Sequence, residues 1–417
     1  MTHSERDVSG LKGTPLWSRA AAAWPVAAAT LLLLFFSIAE LFRFFLALLA
    51  LGGAYRLIRH REWPRGPWLL LFTAAFACLW LPMLASVVDA ESPRVATTET
   101  ARWLIYLLAG YLWIGAFVRY GTTRALLGGA FAILLYWSAD ALFQFLTGVD
   151  FFGHEAFGGE RLSGMMGPRL TVVLAVMSPV FLHALLRFGS RRRPLWLLLF
   201  PYLLVVLYGG SRIAWMLILV GLLLYGALLL AMGVRLKLRW IAAILSVVLL
   251  TVAVAITQTH WLEQRVVELG GLFSGDYALV NTAVNNRLPH WEAAARMYEQ
   301  NPINGIGVRN YKFSYPEYAN GDKVFRGQPH LFLLEVAAET GTIGLGGYAL
   351  FLVLIAMTML RLVRRRRYEA VPWGIALLLA AFPLSATLSM YAHFMAALIW
   401  YLAMMFVGVA AREAQTP

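Results

Sequence analysis

The sequence predicts an all-α, polytopic membrane protein with about twelve transmembrane helices and one long outward loop. Three observations predict it. Of 417 residues, 60% are hydrophobic and only 14% are charged, against roughly 25% charged in an average soluble domain, which excludes a water-soluble fold. Apolar runs of about 20 residues recur along the chain, each long enough to cross a hydrocarbon core of roughly 30 Å. Lys and Arg concentrate in alternate connections between those runs, the pattern that orients helices with their basic loops inside.

Taken in order, residues 1–20 are polar and of mixed charge, with no small-residue cleavage site after the first apolar run, and read as a retained cytoplasmic tail. Spans follow at about 21–37, 40–57, 67–87, 102–118, 125–147, 168–187, 194–208, 211–232 and 239–258. An outward segment occupies 259–329, then three more spans at 331–360, 371–387 and 391–411, within a final helical region 330–411, and a cytoplasmic tail at 412–417. With the N-terminus inside, the inward connections hold 18 basic residues, among them Arg56, Arg65, Arg187, Arg239 and Arg364 to Arg367, whereas the short outward ones hold only Arg94 and Arg161 clear of the helix ends. Most of the net charge of +13 is thereby used for orientation. Nucleic acid is not an expected partner; membrane lipid is.

The segment 259–329 has 71 residues with seven basic and seven acidic side chains, far longer than a turn between helices needs. Within it, Thr259 to Phe273 reads as amphipathic, and Pro289 to Gln300 as a helix with proline in its first turn and a stop at Asn301-Pro302. The stretch from Gly305 to Pro329, rich in Gly, Asn, Tyr and Pro, reads as ordered irregular backbone.

Topology does not account for the outward arginines, and these are the candidates for chemistry. Arg161 precedes span six, Arg212 opens span eight, Arg287 lies in the long segment and His330 opens span ten. An arginine at a membrane boundary can simply snorkel. Several guanidiniums from separate segments converging would instead suit a diphosphate, because each offers a rigid fork of donors to paired oxygens. His330, as a neutral imidazole, can accept a proton from an attacking hydroxyl; a helix-capping role is the plain alternative. Supporting candidates are Ser211, Arg169, Arg265, Arg309, Tyr311 and the carboxylates Glu335 and Glu339, spaced i and i+4 on one face of an apolar span. Asp140 and Gln144, similarly spaced, read as structural.

A metal site is not expected. His154, His183, His260, His290 and His393 form no ligand-spaced pair, and Asp89-Ala90-Glu91 offers two short carboxylates without a third ligand. The single cysteine, Cys78, excludes an internal disulfide. Neither a phosphate-cradling nor a dinucleotide glycine loop occurs, and no cofactor is expected.

Three local patterns resemble the O-antigen ligase and polymerase superfamily of bacterial envelope proteins, on its ligase side. Asn301-Pro302-Ile303-Asn304-Gly305-Ile306-Gly307 is similar to that family's N-P-x-x-G-x-G segment; His330 with Glu339-Thr340-Gly341-Thr342-Ile343-Gly344 to its H-N…E-x-G-x-x-G stretch; and Gly210-Ser211-Arg212-Ile213-Ala214-Trp215 to its S-R segment. Leu331 and Arg169 depart from it, standing where asparagines are usual. The resemblance implies a GT-C-like glycosyltransferase in the inner membrane, acting on its periplasmic side. It would move a glycan from undecaprenyl diphosphate to the lipid A-core oligosaccharide without a metal, using His330 as base and Arg161, Arg212 and Arg287 on the diphosphate. Other acceptors would make the protein a polymerase or a protein O-oligosaccharyltransferase. A flippase or secondary transporter is the reading from a different class; it would show charges near the membrane midplane, whereas the notable charges here gather at one boundary.

Overall fold

The computed structural model describes residues 16–61, 63–158, 161–189, 193–233, 267–268, 270–319, 327–386 and 388–415. The predicted span 239–258, most of the amphipathic stretch that begins at Thr259, the supporting candidate Arg265 and most of the N-terminal tail lie outside these residues.

Among the described residues the protein is all-α, without a named strand. Helices α1 (Leu16–Phe35), α2 (Leu41–Arg59), α3 (Pro67–Ala85), α4 (Pro93–Tyr120) and α5 (Thr123–Thr147) come first. Helices α6 (Leu170–Gly189), α7 (Leu199–Tyr208) and α8 (Arg212–Ala231) follow. Three short helices, α9 (Tyr277–Ala283), α10 (Leu288–Gln300) and α11 (Tyr311–Tyr318), occupy the long segment, and α12 (Phe332–Arg364), α13 (Val371–Ala380) and α14 (His393–Gln415) complete the chain. Among the described residues, eight helices are long and apolar enough to cross a membrane, and the apolar helices at Ala23–Phe35, Pro194–Tyr208 and Val371–Ala380 are shorter. Each described span expected from the sequence has a helical counterpart.

Packing, not hydropathy, sets the depth of a helix in the bundle, because helices facing lipid are as apolar as those at the centre: α8 has a mean hydropathy of 2.6 yet is mostly unburied. α14 is apolar on every side, from Phe394 through Ala411, and is buried over that whole length. It packs on α4 and α13, while α13 also packs on α6, whose residues from Leu170 to Leu185 are buried throughout. α2 and α3 lie farther out against α4 and α12 and leave Phe44, Leu51, Ile58 and Leu70 exposed, as helices facing lipid would.

Two faces of the bundle are distinguishable. One gathers the end of α3, the start of α4, the end of α5, the starts of α6, α8 and α12, and helices α9 to α11: Ser92 N–H donates to Asn310 Oδ1 at 2.8 Å, and Leu162 N–H to the Tyr208 carbonyl at 3.4 Å. At the opposite face, Arg187 at the end of α6 pairs with Glu369, Arg412 Nη1 donates to the Val118 carbonyl at 2.7 Å, and basic residues 364–367 close α12.

Three local differences from the sequence reading have physical causes. α4 begins at Pro93, nine residues before the expected 102, so Arg94 sits in its first turn. α13 stops at Ala380, because residues 381–386 leave the helix to accept the Phe332 N–H at the Ser385 carbonyl and the Leu333 N–H at the Pro383 carbonyl. The stretch 305–329, expected to be irregular throughout, contains α11: the Glu339 carboxylate accepts the Arg309 and Tyr311 N–H groups at 2.7 and 3.2 Å and so satisfies donors at its start from 28 residues away.

Candidate functional site

Three segments assemble the cavity face. The first is a small hairpin between α5 and α6, in which Phe157 and Arg161 exchange both backbone hydrogen bonds. It is held from below by α5: Asp140 accepts the N–H groups of Phe151 (2.9 Å) and Met165 (2.8 Å), and one turn later Gln144 accepts those of Ser163 and Gly164, both at 2.9 Å. The i and i+4 pair in an apolar span is therefore the clamp that presents Arg161. In the turn just before the hairpin, closed by a bridge between Val149 and Glu155, Asp150 accepts from the N–H groups of Phe152 and His154 and from the His154 ring; burial works against its charge, but these donors outweigh it and hold the carboxyl below the usual range.

The second segment is the start of α8. Arg212 is its first residue; the guanidinium donates to the Ala283 carbonyl and pairs with Glu268, tying α8 to the long segment. The third is the turn Asn285-Asn286 before α10, where both residues take left-handed backbone, so that the chain reverses and brings Arg287 back over the bundle.

These segments enclose a cavity of about 1060 Å³. Four arginines from four places in the chain line it: Arg161, Arg169, Arg212 and Arg287, with Ser211, Asn285 and Trp291 beside them. No carboxylate is among its described lining residues. Arg169, at the start of α6, has its guanidinium carbon 4.8 Å from the centre of the Phe394 ring. The rest of the wall is apolar, formed by Val172 and Val173 on α6, Ile213, Met216 and Leu219 on α8, and Met395 on α14. Leu219 lies seven residues past Arg212, about 10 Å along a helix, and is 57% exposed, so the apolar end opens at the surface of the bundle.

The other candidates fall elsewhere. His330 is not among the lining residues; its chain neighbour Leu331 is, and the His330 ring stands with Nδ1 3.2 Å from Gln328 Nε2. Glu335 is buried and accepts the Met390 N–H at 2.8 Å, which ties the turn before α14 to α12. Glu339, Arg309 and Tyr311 form the cap of α11, with the Tyr311 hydroxyl donating to the His290 carbonyl at 3.1 Å. Asp89 accepts from Asn304 Nδ2 at 2.8 Å, a structural use of the acidic pair near the end of α3. Groups of three or more His, Cys, Asp or Glu able to hold a metal are absent among the described residues.

The two glycine motifs lock into each other. The Ile306 and Gly307 N–H groups donate to the Ala338 and Glu339 carbonyls, and the Thr342 and Ile343 N–H groups to the Pro302 and Ile303 carbonyls. Gly341 breaks the regular course of α12 with φ +63° and ψ −159°, a backbone region open essentially to glycine alone. Motif spacing alone gave no hint that the two segments touch. Sequence reasoning also missed Glu268 and Phe394, whose partners are distant in sequence; Asp140 and Gln144 carried a visible signal, polar groups in an apolar span.

No curated protein matches the chain. Residues 195–349, which hold Arg212, Arg287, His330 and both glycine motifs, match the model of the O-antigen ligase family (Wzy_C), so this stretch of the chain is similar to the superfamily that its motifs resemble.

Proposed function

We propose that the protein is an O-antigen ligase, transferring a glycan from undecaprenyl diphosphate to the lipid A-core oligosaccharide at the periplasmic side of the inner membrane. One observation carries the reading: a single cavity is lined by four arginines from separate parts of the chain and by an apolar wall that reaches the exposed Leu219. That pairing suits a ligand with a diphosphate head and a polyprenyl tail. The match of residues 195–349 to the O-antigen ligase family supports ligase- or polymerase-type activity.

In the proposed reaction, an acceptor hydroxyl oxygen attacks the anomeric carbon from the face opposite the diphosphate. A new glycosidic C–O bond forms with inversion as the C–O bond to the diphosphate breaks, and its electron pair leaves with the diphosphate oxygen. The hydroxyl proton passes to the His330 imidazole, which belongs to the residue next to the cavity wall. Arg161, Arg212 and Arg287, which line the cavity, would stabilise the charge growing on the leaving group, and Arg169 would add a fourth positive charge. Chelated divalent metal is not required.

The test incubates purified protein with undecaprenyl-diphosphate-linked glycan and lipid A-core in the presence of a chelator, and separates the products on a gel. Glycan joined to lipid A-core is the expected result. A ladder of longer lipid-linked glycan, or glycan on an added protein acceptor, would replace the ligase by a polymerase or a protein oligosaccharyltransferase. Absence of any transfer by folded protein would overturn the transferase reading.

A further inference from the structure

A second cavity, of about 210 Å³, lies at the face opposite the four arginines. α3 and α4 establish the sidedness. Ala85, at the end of α3, and Ser92, before α4, bond to Asn304 and Asn310 on the cavity face, whereas this second cavity is walled by the start of α3 and by Tyr111 to Gly115 toward the end of α4. Its remaining wall is the end of α2 and the turn that follows.

Two guanidiniums line it, Arg56 from the last turn of α2 and Arg65 from the turn. Leu57, Leu69 and Leu112 form its apolar side, and Trp63, 65% exposed, stands at its rim. The Tyr111 hydroxyl is 2.8 Å from Thr73 Oγ1, so this ring is held in place against the cavity. Neighbouring Tyr55 and Ile58 on α2 are exposed as well. Arginines, an interfacial tryptophan and leucines at the end of a transmembrane helix form the environment of a lipid headgroup and its first acyl carbons. A soluble anion would have no use for the leucines.

We propose that this cavity binds the headgroup of an anionic phospholipid, with Arg56 and Arg65 on the phosphate, Trp63 at the glycerol level, and the acyl chains running out along α2 beside Tyr55 and Leu51. The site is independent of the transfer reaction.

The test uses full-length protein in detergent and counts lipids retained after exposure to phosphatidylglycerol or to phosphatidylcholine, by native mass spectrometry. Wild-type protein should retain phosphatidylglycerol preferentially. The double variant Arg56→Gln/Arg65→Gln should bind it about 25-fold more weakly, taking about fivefold for each basic residue at an anionic surface. Trp63→Ala, a change at an exposed side chain, should lower retention of both lipids. Arg59→Gln/Arg124→Gln removes two exposed arginines of the same face that do not line the cavity, and should leave retention within twofold of wild type. An equal loss in both double variants would reduce the effect to diffuse surface charge and overturn the site. Displacement of the lipid by millimolar inorganic phosphate would also overturn it, as a site for a soluble anion. Melting temperatures of all variants separate lost binding from lost folding.

Discussion

Gly341 lies so close to Ile303 that a β-carbon on it would stand 2.3 Å from the Ile303 carbonyl oxygen. The same is true in reverse: a β-carbon on Gly305 would stand 2.5 Å from the backbone of Glu339 and Thr340. These two contacts join the long segment to α12, and through it Arg287 and His330 are held relative to the bundle.

Gly341→Ala is therefore expected to destabilise the protein by at least the ~1–3 kcal/mol of a strained backbone position, with the clash added. Gly346→Ala, on the same helix with open space around its Cα, should be neutral or slightly stabilising. Thermal unfolding in detergent compares the two, and equal melting temperatures would remove the clasp as a stabilising element.

Arg212→Lys keeps the charge but loses the fork that reaches Ala283 and Glu268 as well as the cavity. Removing one preorganised donor to developing charge commonly costs roughly 10²–10³ in rate, so under the proposed reaction transfer by Arg212→Lys should fall by about that factor in kcat. Steady-state kinetics on purified protein measures it; a fall confined to KM would mean that Arg212 binds donor without favouring the transition state.

Asp140→Ala leaves the buried N–H groups of Phe151 and Met165 without their acceptor. Each such loss costs about 1–3 kcal/mol, and Arg161 loses its support. Donor KM should rise more than kcat falls. Wild-type KM in a folded Asp140→Ala protein would show that the hairpin holds Arg161 by other means.

If His330 is the base of the proposed reaction, His330→Ala should lower kcat by roughly 10²–10⁴, the usual contribution of a positioned general base, and abolish the acid limb of the pH–rate profile. A variant that kept both turnover and profile would transfer the role of base elsewhere.

Glu369, at the opposite face, gives a pH prediction. Burial alone would raise its pKa, but the His183 ring and the Arg187 guanidinium outweigh burial and hold the carboxyl below the 4.5 of a free glutamate. A group with a depressed native pKa stabilises the fold above its unfolded value and loses that contribution as pH falls through the native one. Glu369→Gln should thus melt lower than wild type at neutral pH, with the gap closing below about pH 4.5. A gap independent of pH would deny that the ionised carboxylate is the stabilising form.

Residue type and period revealed the spans because lipid imposes one local rule on every transmembrane helix, a sustained apolar run with all backbone groups bonded within it. The helix at Leu288–Gln300 was legible for a similar reason, its proline start and Asn-Pro stop being local signals. α11 was not, because the carboxylate that caps it comes from α12. The arginines stood out in the sequence because the orientation of the chain left them unexplained. Nothing local distinguished Arg309, which turns with its N–H bonded to Glu339, from Arg169, which lines the cavity over Phe394.

By itself, then, the amino-acid order determined the membrane class, the positions of the described spans and the residues rich enough in charge to matter, since hydrophobic run length and the side of each basic cluster are properties of contiguous chain. Tertiary structure alone decided which of those charges share a cavity. Arg161 and Arg287 are 126 positions apart in the chain, yet both line one cavity, the first on a segment clamped by Asp140 and Gln144 and the second on a segment anchored by the Gly305 and Gly341 contacts. Such contacts depend on where backbones cross in space, which no local pattern encodes.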